Sequence, residues 1–235
     1  MSLSHTRNFT LDLMRTFAIV LMVIFHFLYD LKLFGWVSWD TPDGFGWQQF
    51  RWVIITLFFL ALGISLTFAH QHNIDYPNFM KRLAKITASA LIISIVTFIF
   101  IRENWIFFGV LHFLALASVL CLPFVKMPRT SFVIGTGFML LGASGWFISR
   151  WPFHLLFTDL PLYTNDYVAI VPWLGMVFFG IALGHNAWFK ADPMQHLTQH
   201  RYSKYAALPG QHGLLIYLLH QPILIGSLYL ISLML

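Results

Sequence analysis

The chain has 235 residues, 58% of them hydrophobic and only 10% charged, with a formal net charge of +5 and a mean hydropathy of +0.73. A soluble domain carries about 25% charged residues, so this composition excludes an ordinary soluble enzyme. The basic balance excludes a nucleic-acid binder too, because the 14 Lys and Arg residues are spread over short breaks between apolar runs and form no patch.

The first apolar run, Phe9 to Leu33, is long enough to cross a bilayer, yet it holds Asp12, Arg15, His26 and Asp30. A charged side chain at membrane depth costs at least ~2.5–3.5 kcal/mol, so such residues mark functional sites. On a helix, the eleven steps from Arg15 to His26 rotate to within about 20° of three full turns, with an axial separation of about 16 Å. Asp12 lies three positions before Arg15 and Asp30 four after His26, which extends one polar stripe along the helix. The polar lead before the run is short and no small-residue cleavage site follows, so the run reads as a retained first helix.

Further apolar runs follow at about 50–70, 83–101, 106–124, 131–150, 167–187 and 211–233, against about 20 residues per crossing. The sequence therefore predicts an all-α polytopic bundle of about seven transmembrane helices in a single domain, residues 1–235. With the N-terminus in the cytoplasm, the inner side receives Arg7, Lys81, Arg82, Lys85, Lys126, Arg129, Lys190, Arg201 and Lys204. The outer side receives Lys32, Arg51, Arg102 and Arg150. Nine against four predicts the N-terminus inside.

Later runs add His112 and His220, and Asp166 stands near the outer edge of the sixth. Pro222 removes a backbone donor beside His220, an irregularity tolerated where a helix lines a cavity. Gly135, Gly137, Gly142, Gly145 and the step from Gly180 to Gly184 read as close-packing positions between helices. Cys121 is the only cysteine, so no internal disulfide forms. No metal site is read from the sequence.

A histidine serves as general base or nucleophile, and a neighbouring carboxylate orients it. An arginine at the other end of the stripe suits a phosphate or pyrophosphate. A coenzyme A thioester entering from the cytoplasm has a matching shape, with its phosphates at Arg15 and its acyl group at His26. A b-type cytochrome with His26 and His112 as axial haem ligands and a proton-coupled transporter are the alternatives.

The stretch from Arg7 to Met22 with Phe25-His26-Phe-Leu-Tyr-Asp30-Leu31 resembles the opening of the heparan-alpha-glucosaminide N-acetyltransferase catalytic domain family. Ile106 to His112, Val171-Pro-Trp-Leu-Gly175 with Gly180, and Gly210 to Pro222 resemble its later blocks. An Arg followed eleven positions later by His is also similar to the wider transmembrane acyltransferase superfamily. The resemblance implies acetyl-CoA as donor, a sugar of an envelope glycan as acceptor, and His26 as the catalytic residue, with Asp30 beside it. By the same resemblance Arg15 belongs to the signature; the reading of the residues puts Arg15, with Asp12, at the donor and leaves His112, His220 and Asp166 as acceptor contacts or support for the base. Thr16 stands where members often have Gly. The expected setting is a bacterial inner membrane, with lipids as neighbours.

Overall fold

The computed structural model describes residues 7–146, 150–156, 160–161, 164 and 166–234, which are helical and contain no strand. The α-helices in chain order are α1 (Phe9–Leu33), α2 (Trp47–His70), α3 (Tyr76–Phe100), α4 (Val110–Cys121), α5 (Pro128–Ala143), α6 (Phe153–Leu156), α7 (Ile170–Gly184), α8 (Ala187–Lys190), α9 (Ser203–Gln211) and α10 (Gly213–Ser232). The chain divides into two compact units, Met1–Phe58 with Ala187–Leu235, and Phe59–Asn186. Each predicted span contains a helix. Residues 147–149, at the end of the fifth, lie outside the described residues.

The first unit is built around α1. Asn8 caps it by accepting from the Leu11 N–H at 2.8 Å. Asp192 supplies a second cap from far along the chain. Its carboxylate accepts from the Phe9 and Thr10 N–H groups, both at 2.8 Å, and from the Thr10 hydroxyl at 2.6 Å. The first amides of a helix have no partner within it, so this loop carboxylate fixes where α1 begins. Asp192→Ala is expected to cost about 1–2 kcal/mol, read as a lower unfolding temperature in detergent, with Asp192→Asn losing less.

One side of α1 exposes Phe17, Val20, Ile24 and Phe27, a stripe at helical spacing suited to lipid. The opposite side packs on α9 and α10. There Gly210 presses on the Asp12 backbone carbonyl, where a Cβ has no room, and its N–H donates to Thr16 Oγ1 at 2.9 Å. The Thr16 hydroxyl, absent from a glycine, thus joins the two helices. Further along, Ile19 meets Gly213, His26 meets His220 and Asp30 meets Gln221. Both sets of numbers rise together, so α10 runs parallel to α1.

That direction constrains the crossings. Four helices (α1, α2, α3 and α10) are long and apolar enough to span a membrane, or five when α7 is counted with the segment after it. Parallel first and last spans require an odd total, so four single crossings are excluded, whereas five or seven fit. The three remaining predicted spans hold shorter helices. The 12 residues of α4, 16 of α5 and 15 of α7 extend about 18, 24 and 23 Å at 1.5 Å per residue, against a hydrocarbon core of about 30 Å. Their ends are irregular backbone that hydropathy alone does not reveal, such as the non-helical Val171 at the start of α7.

In the second unit, residues 59–70 of α2 lie directly against α7. A Cβ on Gly180 would strike the Leu60 carbonyl, and one on Gly63 the Val177 carbonyl. Thr67 Oγ1 lies 3.3 Å from the Ile181 carbonyl at the same contact. Gly135 and Gly175 pack α5 on α7 similarly, and Gly142 approaches Pro172. Gly137 meets no neighbour and Gly145 sits in a turn at φ +70°, so these two are not packing positions. Asp75 caps α3, and the Asn78 backbone N–H, then its side-chain amide, hold the Asp75 carboxyl below the usual carboxylate range.

Candidate active site

The face of α1 turned to α9 and α10 carries two polar clusters. The first surrounds Asp12, which is buried. Arg7 Nε donates to its Oδ2 at 3.0 Å and Arg7 Nη2 to Oδ1 at 3.3 Å. Arg15 Nη1 donates to Oδ1 at 3.0 Å and Gln211 Nε2 to Oδ2 at 3.1 Å. Two guanidiniums and an amide therefore satisfy one carboxylate, which fixes the Arg15 side chain against the end of α9. The Arg15 side chain is 27% exposed and that of Arg7 58%, so Arg15 is the more enclosed cation. An anion reaching this cluster meets net positive charge.

The second cluster lies further along the same face. His26 Nδ1 is 2.9 Å from the Met22 carbonyl. A carbonyl only accepts, so Nδ1 carries the proton and Nε2 of the neutral ring has the lone pair. That is the protonation a general base needs. Phe25 packs edge-on to this ring and itself contacts Trp47 and Phe50, so aromatic groups close one side of the imidazole. The other side meets His220, with ring centroids 4.7 Å apart at an interplanar angle of 80°.

Asp30 does not orient His26. It is fully buried and accepts from Gln221 Nε2 at 3.0 Å through Oδ1, while the His26 ring is held by its own helix. The expected carboxylate–imidazole bond is replaced by two links to consecutive residues of α10. Asp30 Oδ2 and Gln221 Oε1 are buried and have no donor within the protein. An unsatisfied buried acceptor costs about 1–3 kcal/mol, and here two lie on the side chains that link α1 to α10.

His112 and Asp166 belong to the second unit and occupy one place in it. The Gly109 N–H donates to His112 Nδ1 at 3.2 Å, so the proton sits on Nε2. That nitrogen donates to Ser94 Oγ at 3.0 Å, and Ser94 donates to the Ile106 carbonyl at 2.6 Å. Asp166, at φ 60°, accepts from the Val110 N–H at 3.3 Å, and Gly109 bridges Tyr167. These residues cap α4 and hold the irregular backbone before it. Both His112 nitrogens are engaged, which leaves neither for a haem iron.

Asp12, Arg15, His26, Asp30 and His220 are thus brought along one helix face, and His112 and Asp166 share a separate cap. Arg7, Gln211, Gln221 and Asp192 were not singled out by the sequence. The two glutamines carry no charge, so a search for ionisable groups passes over them. Their signal was a polar amide inside an apolar run beside Gly210 or Pro222.

A family model described as "Heparan-alpha-glucosaminide N-acetyltransferase, catalytic" matches residues 7–222. No curated protein and no solved structure matches the chain. The match spans most of the sequence and both polar clusters of α1, and the apolar helices make the protein an integral membrane protein. It belongs to the heparan-alpha-glucosaminide N-acetyltransferase catalytic family, which makes it a membrane-embedded acyltransferase.

Proposed function

We propose that the protein transfers an acetyl group from cytoplasmic acetyl-CoA to an amino or hydroxyl group of an envelope-glycan sugar on the outer side of a bacterial inner membrane. His26 acts as base or nucleophile. One observation carries this reading: Arg15, paired with the Asp12 that Gln211 also holds, and the His26 ring, packed on His220, share the face of α1 turned to α9 and α10, about 16 Å apart along the axis. In this reading the helices make seven crossings with the N-terminus inside.

Arg15 binds a phosphate oxygen of the donor, since a planar guanidinium holds such anions through paired N–H groups. Asp12 keeps it pointed at the site. The pantetheine arm then runs along α1 towards His26. With His26 as base, the acceptor oxygen or nitrogen attacks the thioester carbonyl, a C–O or C–N bond forms and the C–S bond breaks. The acceptor proton passes to His26 Nε2 and from there to the departing thiolate. With His26 as nucleophile, a bond forms between Nε2 and the acetyl carbon as the C–S bond breaks and CoA thiolate leaves. The acceptor oxygen or nitrogen then attacks that carbon, the C–Nε2 bond breaks, and the acceptor proton ends on the CoA thiolate.

The unsatisfied oxygens of Asp30 and Gln221 suit a donor-bearing acceptor such as a sugar. Asp30→Asn is expected to reduce turnover about tenfold, the scale of one charge-assisted hydrogen bond, with little effect on the KM for acetyl-CoA. Steady-state kinetics at varied acetyl-CoA checks it. The function is tested by incubating purified protein with radiolabelled acetyl-CoA and extracted envelope glycans. Label in a glycan product supports the reading, and label remaining wholly in acetyl-CoA and acetate overturns it.

A further inference from the structure

The His26–His220 contact has a chemical consequence that His26 alone does not supply. His220 Nδ1 is 2.8 Å from the Tyr217 carbonyl, the same arrangement that His26 makes with Met22. In both rings the proton is therefore fixed on Nδ1 by the ring's own helix, and in both the lone pair is on Nε2. The two rings touch at a centroid distance of 4.7 Å, and His220 is buried. Two neutral bases are thus placed side by side, each with its Nδ1 engaged by its own helix.

We propose that His220 is the second member of an imidazole pair, which holds between its two Nε2 atoms the single proton released from the acceptor. The inference rests on the acyltransferase reading. When His26 Nε2 takes that proton, it becomes a donor, and the neighbouring Nε2 lone pair of His220 is the acceptor that a modest ring rotation brings into line. No further reactant is required. The proton leaves the acceptor N–H or O–H, resides on the pair, and returns to the CoA thiolate as the thioester bond breaks. His220 acts through His26 and touches neither substrate.

A second proton on the pair is opposed by repulsion, because two charges at this spacing interact strongly away from bulk water. The two rings therefore titrate as one unit. Among the described residues, Tyr217 of α10 packs on the His220 ring and Asp30 of α1 bonds the adjacent Gln221, while the first turns of α2 add the uncharged Trp47 and Phe50.

Two measurements on the purified full-length protein test this, one of which needs no acceptor. In ¹⁵N-histidine NMR, acidification is expected to move the His26 and His220 signals in one joint transition. His26→Asn should shift the remaining His220 transition, and His220→Asn should shift that of His26. Rings that titrate independently, each unmoved by substitution of the other, would overturn the proposal whether or not the enzyme turns over.

The second measurement is thiol release from acetyl-CoA. His220→Asn keeps an amide N–H for Tyr217 but loses Nε2, and should lower kcat about 10- to 100-fold with KM unchanged. His220→Gln puts an acceptor oxygen near the lost Nε2 and should recover most of that loss. The double variant His26→Asn, His220→Asn should be no slower than His26→Asn. Equal loss in His220→Gln and His220→Asn, or additive loss in the double variant, contradicts the pair. Wild-type protein with no thiol release beyond that of His26→Asn contradicts the acyltransferase reading, while the NMR result still decides the pair.

Discussion

Replacing His26 by alanine is expected to reduce acetyl transfer by about 10²- to 10⁴-fold, the usual contribution of a positioned general base, and by more if the ring is acylated. The fold should survive. His26 is only half-buried and its hydrogen bond goes to its own helix at Met22, so α10 loses a ring contact at His220 but no hydrogen bond. Asp30 and Gln221 continue to link α1 to α10. The check combines labelled-acetyl transfer with the elution profile and melting temperature in detergent. Full activity in a well-folded His26→Ala protein would remove the catalytic assignment.

Arg15→Ala is expected to act at the other end of the stripe and on a different parameter. Losing a charge-assisted contact to a donor phosphate should raise the KM for acetyl-CoA about 10- to 100-fold, with a much smaller change in kcat. The variant should remain folded for a reason visible in the structure. Asp12 keeps three donors, two from Arg7 and one from Gln211, so no buried carboxylate is stranded. Arg15→Lys should recover little, since an ammonium lacks the planar fork. Raised KM in both variants at nearly constant kcat checks the donor role, whereas a fall in kcat at unchanged KM would move Arg15 out of it.

The polar stripe was legible because helical periodicity acts on a continuous apolar run. Once Phe9 to Leu33 is a single helix, the shared side of Asp12, Arg15, His26 and Asp30 follows from spacing alone. The Asp12–Arg15 ion pair at 3.0 Å follows from their i,i+3 separation. Spacing does not say which of several neighbours a side chain chooses. His26 and Asp30 are one turn apart and so are predicted partners, but each bonds elsewhere because Met22 O and Gln221 compete for them. Those competitors are a backbone oxygen and an uncharged amide, which composition does not mark.

Asp166 and His112 were similarly open to two uses. An acidic residue and a histidine near a predicted span suggest chemistry, but they accept from the Gly109 and Val110 amides at the start of α4, which, as at any helix start, have no partner within the helix. Local spacing does not mark Asp192, because its partners are 182 and 183 positions away. Thr16 departs from the family pattern, and its hydroxyl accepts from the Gly210 N–H, a contact a glycine cannot make. What the sequence leaves open in each case is a tertiary contact.

The most direct test of the two-ended α1 site is a structure of the protein bound to a non-hydrolysable acetyl-CoA analogue. The expected result is a donor phosphate at hydrogen-bond distance from the Arg15 guanidinium, about 3 Å, with the acyl carbon about 3.5 Å from His26 Nε2. An analogue seated with its acyl end away from α1, or with its phosphates on other cations and Arg15 facing hydrocarbon, would contradict it.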